Sequence, residues 1–269
     1  MTGKVFIIGA GPGDPELLTL KAVRCLRLAD IVFYDYLIDE RTLLHAKPEA
    51  ELVPLGTHRD GRRMPQNEIN ARMTAAALSG KTVVRLKGGD PHLFGCLNQE
   101  TEALLPPPDA GAAGVEFEVV PGITAACAAA QAAGISLTDR RFADTGAAAF
   151  ISGHRPHHPS LPEPDFTKYA AFPGTLVFYM GVSSAVHWSS GLIAGGKPPD
   201  TPVLFVFHAS MPDQRTVQTT LAGVEETVKK ENLRSPCSVI VGQAVNVRQL
   251  CLHHRHAAQE PPYQEDVSS

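Results

Sequence analysis

The chain lacks the features that mark several classes of protein. Its five cysteines, Cys25, Cys96, Cys127, Cys237 and Cys251, are odd in number, scattered, and form no C-x-x-C pair. That pattern favours free thiols in a reducing, cytoplasmic compartment over a disulfide framework or a zinc site. No apolar run approaches the roughly 20 residues needed to span a bilayer. The N-terminus enters a strand-like stretch at once, so no signal peptide is expected. A large excess of positive charge is also missing. With 24 basic and 28 acidic residues, the formal net charge is -4, which is no basis for broad nucleic-acid or anionic-membrane binding, although a local basic patch remains open. There is no G-x-x-x-x-G-K-[ST] phosphate loop and no internal repeat.

What is present is an ordinary globular composition, 43% hydrophobic and 19% charged over 269 residues, enough for one large domain or two smaller ones with a proper core. Lys4 to Gly9 reads as a short buried strand, and Ile31 to Tyr34, Leu52 to Leu55, Thr82 to Leu86 and Phe117 to Val120 as further strands. Asp14, Pro15 and Glu16 supply an N-cap, a first-turn proline and a first-turn acid, which predicts a helix start there. Leu18, Ala22, Cys25, Leu26 and Ala29 follow at helical spacing. Helices are also expected from Asn67 to Leu78, from about Asn98, and through "TAACAAAQAAG". Strands alternating with helices predict an α/β fold with a largely parallel sheet.

Pro121-Gly122 is the candidate hinge between an N-terminal α/β domain (1–119) and a C-terminal α/β domain (123–247). In the second half, Ala147 to Ile151, Thr175 to Tyr179, Pro202 to Phe207 and Val239 to Val241 read as strands. The stretches "LPPPDAGAAG" and 154–165 read as loops. Residues 248–269 lack periodicity and are expected to form a flexible tail. The tail carries His253, His254 and His256, a set capable of metal binding, but no metal site is expected.

Two glycine loops follow strands. In "GAGPGD" (9–14), the third glycine of a dinucleotide fingerprint is replaced by Asp14, and Pro12 has no N–H to donate. A carboxylate where a pyrophosphate should sit disfavours phosphate. The loop then suits a neutral or cationic ligand approaching the backbone, or is a tight turn without a ligand. In "RLKGGDPHLFG" (85–95), Gly88 and Gly89 again open the backbone, and Asp90 offers a carboxylate for ribose hydroxyls or a positive ligand. Its alternative role is to cap backbone N–H groups in an Asp-Pro turn. Two such loops at equivalent strand ends favour ligand binding.

Taken in order, "VFIIGAGPGDPELLTLKAVRCLRLADIVFYDYL", "VVRLKGGDPHLFG", "FEVVPGITAA", "GISLTDR" and "TLVFYMGV" closely resemble the uroporphyrinogen-III C-methyltransferases of the tetrapyrrole methylase family, over about residues 4–245. The resemblance implies a two-domain tetrapyrrole methylase fold with a cleft between the domains, in a homodimer. It implies S-adenosyl-L-methionine as methyl donor, leaving S-adenosyl-L-homocysteine, and no metal. The small-molecule substrate would be uroporphyrinogen III, methylated at C2 and C7 to precorrin-2 for sirohaem and cobalamin synthesis. By position, the donor site would use Pro12, Gly88, Gly89, Asp90, Leu93, Thr124, Ala125, Met180 and Ala209, although a methionine in a strand is commonly plain core. Asp35 matches the family's proton acceptor, with a helix cap or surface acid as its other reading.

The sequence also departs from the family. In "LGTHRDGRRMPQNEIN", Thr57 stands where the family has a lysine proton donor and Arg62 where it has a histidine. His58, Arg59, Arg62 and Arg63 nevertheless keep that loop basic, suited to clamping the substrate's carboxylates or simply solvated. "FGCLNQE" replaces "FGRGGEE", and Asp139 replaces a histidine. The donor motifs are better kept than the substrate-facing ones. A methylase of another tetrapyrrole, such as a corrin-ring precursor, and a non-catalytic donor- or tetrapyrrole-binding protein therefore stand as alternatives.

Overall fold

The computed structural model describes residues 2–56, 64–105, 114–139, 146–154 and 163–250, with side chains through 246. It divides into two compact units. One comprises Met1–Ala129 with Val206–Arg215 and Arg234–Ser238; the other comprises Ala130–Phe205, Thr216–Leu233 and Val239–Ser269.

In the first unit the chain alternates β1 (Lys4–Gly9), α1 (Leu20–Leu28), β2 (Ile31–Tyr34), α2 (Glu40–Leu43), β3 (Glu51–Pro54), α3 (Gln66–Leu78), β4 (Val83–Lys87), α4 (Leu97–Leu104) and β5 (Glu116–Val120), ending in the start of α5 (Ala125–Ala133). The strands form one sheet in the order β3-β2-β4-β1-β5, and every pairing is parallel. Buried on both faces, β1 and β2 are nearly continuous apolar runs, as central parallel strands commonly are, whereas the edge strands β3 and β5 are partly exposed. Phe6, Ile8, Val32, Val84 and Leu86 pack beneath Ala22, Cys25 and Leu26 of α1 and Leu43 of α2. On the opposite face, Val5, Ile7, Phe33 and Val83 pack against Ile69, Met73 and Ala77 of α3 and Leu104 of α4. The chain therefore leaves β1 toward one face and the neighbouring β4 toward the other. That divergence is a topological switch point, where open α/β sheets bind ligands.

In the second unit, the remaining elements are β6 (Ala148–Ser152), β7 (Thr175–Tyr179), α6 (Ala185–Ala194), β8 (Pro202–Phe207), β9 (Arg215–Thr220), α7 (Val224–Lys230) and β10 (Cys237–Val241). The second sheet runs β6-β7-β10-β8-β9, with β6 and β7 parallel. The fully buried Trp188 of α6 stacks on Phe178 at 4.7 Å between ring centroids. Its indole N–H donates to the Gly181 carbonyl at 2.8 Å, so the largest side chain is buried with its one polar atom satisfied.

The α/β expectation holds, and most strand boundaries fall within a residue or two of those read from sequence. One helix start does not. Asp14 caps only a short 3₁₀ turn, Pro15–Leu17, by accepting from Glu16 N. Leu18 is extended, and α1 begins at Leu20, where the Thr19 hydroxyl accepts from Ala22 N. Two caps in succession split the entry, and Thr19 starts the longer helix. The polar edge strand β9 and helices α2, α6 and α7 were not foreseen. Most of the expected loops at 105–114 and 154–165, and the tail beyond residue 250, lie outside the described residues. The backbone of Gln243–Leu250 forms a 3₁₀ helix.

Candidate functional site

Because all five strands of the first sheet are parallel, the loops after them emerge at one edge. At the switch point three of these loops touch through glycine backbone. Ala10 N donates to Lys87 O at 2.7 Å, Gly89 N to Gly11 O at 2.7 Å, and Gly11 N to Gly89 O at 3.2 Å. A Cβ on Gly9 would stand 2.6 Å from both Gly89 O and Gly122 N, and one on Gly122 only 2.3 Å from Gly89 O. No side chain fits at either position. The "GAGPG", "KGGDP" and "VVPGIT" motifs thus form one clasp of three loops.

The clasp bears on the phosphate question in physical terms. A phosphate nest needs outward-pointing amides. Here Ala10 N and Gly11 N donate across the clasp, Asp14 N donates to the Ser210 hydroxyl at 3.2 Å, and Pro12 has no N–H. Asp90 is likewise committed inward. Its Oδ2 accepts from Gly122 N at 2.9 Å; its Oδ1 accepts from His92 N at 2.8 Å and lies 2.9 Å from His92 Nδ1. Partial burial pushes the Asp90 pKa up, but the bonds from Gly122 and His92 outweigh it and hold the carboxyl below its usual range. Asp90 is therefore the brace joining the β4 loop to the β5 loop. The capping role considered for it is the one its geometry shows.

A second constellation lies beside the clasp. Arg85 and Lys87 share the face of β4 that Val83 buries, and both are almost fully buried. Arg85 Nη2 donates to Asp35 Oδ1 at 2.6 Å and Arg85 Nε to Glu100 Oε1 at 2.9 Å. Lys87 Nζ reaches the same Glu100 oxygen at 2.8 Å, and Gln66 Nε2 reaches it at 3.3 Å. Glu100 itself is fully buried. Two carboxylates and two cations balance in formal charge, as buried charges must. Burial alone would lower the Arg85 pKa, but Asp35 and Glu100 outweigh it and raise it, so the guanidinium stays cationic. This cluster was missed in the sequence, although a signal was present. "VVRLK" places two cations at alternate positions of a buried strand, and these require anions from elsewhere in the fold.

The other nominated residues take these places. Asp35 follows β2, its side chain about one-third exposed and its backbone N–H bonded to Leu86 O at 3.2 Å. Leu93 N donates to Asp90 O in the turn that Asp90 caps, and Thr124 O accepts from Cys127 N and Ala128 N, so Thr124-Ala125 open α5. Pro12, Gly88 and Gly89 belong to the clasp loops. Ala209 sits between His208 and Ser210, both at positive φ, in the segment that reaches Asp14 through Ser210. All of these belong to the first unit. Met180 belongs to the second, at the end of β7, 45% exposed and at φ 54°; it is not a core residue. Thr57, His58, Arg59, Arg62 and Arg63, and the histidines at 253, 254 and 256, lie outside the described residues. Among the described residues, no group of three or more His, Cys, Asp or Glu side chains is arranged to hold a metal.

Comparison with known proteins identifies the family. The family model for tetrapyrrole (corrin/porphyrin) methylases matches residues 4–225. A uroporphyrinogen-III C-methyltransferase of Bacillus subtilis is 39% identical over 245 residues, 91% of each chain. Siroheme synthase 2 of Halorhodospira halophila is 40% identical over 98% of this chain but only 51% of its own length. The chain thus spans about half the length of several curated relatives that it matches. The crystal structure of a Thermus thermophilus uroporphyrin-III C-methyltransferase complexed with S-adenosyl homocysteine superposes with a TM-score of 0.74 at 40% identity, over 91% of this chain and 94% of that one. The matching model and these relatives, spread over almost the whole chain and including the clasp motifs, show that the protein belongs to the tetrapyrrole methylase family.

Proposed function

We propose that this protein transfers methyl groups from S-adenosyl-L-methionine to C2 and C7 of uroporphyrinogen III, giving precorrin-2 on the route to sirohaem and cobalamin. The observation that carries the reading is the nearly end-to-end likeness to the Bacillus subtilis C-methyltransferase, 91% of both chains. We further propose, from the family resemblance, that it works as a cytoplasmic homodimer without a metal.

The described residues fit the donor. At Gly88 a Cβ would meet only Leu37 Cβ, at 4.0 Å, so the backbone there is open to close approach. With the Ala10, Gly11, Asp14 and Gly89 amides bonded within the protein and no N–H on Pro12, the clasp favours a ligand without phosphate, and its acidic loops do not repel a cation. Pro12, Gly88, Gly89, Asp90, Leu93, Thr124, Ala125, Met180 and Ala209 would hold it, with Asp90 acting through the turn it braces. When bound, the donor supplies a methyl group on a positively charged sulfur, which departs as a neutral thioether while the substrate's enamine-like carbon forms the new C–C bond.

The protein then has two tasks: alignment and removal of the proton that restores conjugation. Asp35 suits the second. Arg85 fixes its Oδ1, while Oδ2 has no partner among the described residues. A substrate C–H proton passing to that oxygen leaves its bonding pair in the macrocycle and a neutral carboxylic acid at Asp35. The basic residues His58, Arg59, Arg62 and Arg63 would meet the substrate's carboxylates.

The test is incubation of purified protein with uroporphyrinogen III and labelled donor. An isobacteriochlorin-type chromophore carrying two labels is the expected result. Donor binding without methyl transfer would overturn the activity and favour a binding protein. Turnover of a corrin precursor alone would shift the substrate, a reading favoured by likeness to a cobalt precorrin-4 methyltransferase (30% identity, TM-score 0.75).

A further inference from the structure

We propose that Glu100 is a positioning residue for the methylation reaction: through Arg85 it holds the Asp35 carboxylate in place for proton transfer. This rests on the reading of Asp35 as proton acceptor. The geometry is a relay across three elements. Glu100 on α4 presents one oxygen, Oε1, to three donors: Arg85 Nε at 2.9 Å, Lys87 Nζ at 2.8 Å and Gln66 Nε2 at 3.3 Å. The guanidinium is further anchored by Nη1 donating to Leu86 O at 3.0 Å. Only Nη2 is left to face Asp35, which it meets at 2.6 Å. A planar fork held on two of its edges has one orientation, so it fixes the direction from which Asp35 Oδ1 is held.

Stability does not account for this arrangement. Glu100 Oε2 is buried without a hydrogen-bond partner among the described residues, and a buried polar atom left unpaired is destabilising. Apolar side chains continuing the Val83 face would pack there at lower cost, since buried ion pairs are commonly no more stable than hydrophobic replacements. The groups facing Glu100 are Arg85 and Lys87 from β4 and Gln66 from α3, with Asp35 beyond Arg85. Removing the Glu100 charge turns a balanced set of two anions and two cations into one with a surplus positive charge beside Asp35.

The test compares E100Q, R85K and D35N in the full chain. Glu100→Gln is expected to lower kcat roughly tenfold and to move the acidic limb of the kcat profile to lower pH, because the surplus cation makes Asp35 a weaker base. Arg85→Lys keeps the charge but loses the two-edged fork, so its limb moves to higher pH. Binding of S-adenosyl-L-homocysteine, followed by calorimetry, stays within about twofold in both, since neither residue is in the clasp. An E100Q enzyme with an unmoved pH profile, or with kcat lowered, KM raised and donor binding weakened together, overturns the proposal. Should E100Q fail to fold, the R85K profile decides alone. D35N at wild-type turnover would overturn the Asp35 reading and this proposal with it, whereas an inactive D35N beside an unaltered E100Q would overturn this proposal only.

Discussion

Replacing Asp90 by asparagine separates a brace from a ligand contact. Asp90 accepts Gly122 N at 2.9 Å and His92 N at 2.8 Å, with side-chain exposure of only 14%. Asparagine keeps one acceptor oxygen and turns an NH₂ toward the other donor, so one backbone N–H loses its partner. A hydrogen bond to a charged group contributes about 1.5–3 kcal/mol, and for a protein of this size about 1 kcal/mol shifts Tm by roughly 2–4 °C. Asp90→Asn should therefore lower the Tm of the ligand-free protein by roughly 3–12 °C at pH 7. The pH dependence is fixed in sign. The folded-state pKa of Asp90 is lowered, so its contribution is complete above the unfolded-state value of about 3.9 and is lost as pH falls through the folded value. The wild-type advantage should be full at neutral pH and shrink below about pH 4. The assay is calorimetric or fluorescence melting of both proteins without ligand, at pH 7 and at descending pH. Equal melting at pH 7, with a loss only in donor affinity, would refute the brace and make Asp90 a ligand residue.

Gly122→Ala places a Cβ 2.3 Å from Gly89 O and 2.8 Å from Gly9 backbone; with backbone on both sides, a loss of about 1–3 kcal/mol or more is expected in thermal melting, together with weakened donor binding. Thiol labelling followed by mass spectrometry at pH 8 should modify the exposed Cys96 and Cys127 well before Cys25 and Cys237, because burial raises the Cys25 thiol and pushes Cys237 up to about 12; early labelling of Cys237 would contradict its placement. Thr57→Lys restores the proton donor implied by the family resemblance and should raise turnover, by up to ~100-fold if that step limits the rate; unchanged turnover would show that position 57 needs no donor.

Much of the fold was legible because buried strands carry their burial in plain sequence. "KVFIIG", "IVFY", "TLVFY" and "PVLFVF" are nearly continuous apolar runs, and β1, β2, β7 and β8 coincide with them. "RTVQTT" was not legible, since β9 is half-exposed at an edge of its sheet and lacks that signature. The entry to α1 was misplaced because Asp14 and Thr19 both cap, and local propensity does not rank two adjacent caps.

Residue order was enough to point to an α/β chain with glycine loops at strand ends and to disfavour a pyrophosphate nest, since Pro12 and Asp14 alone remove an amide and add a negative charge. Only tertiary structure decided what those loops do to one another. Gly9, Gly89 and Gly122 are 33 to 113 residues apart along the chain, and nothing local shows that their backbones must touch. In the same way, "VVRLK" announced buried cations without naming their anions. Asp35 and Glu100 come from other elements, and strand order β3-β2-β4-β1-β5 is what brings them to Arg85. Short-range order sets which residues are buried and which turns form; pairing across a sheet depends on register, which no single segment contains.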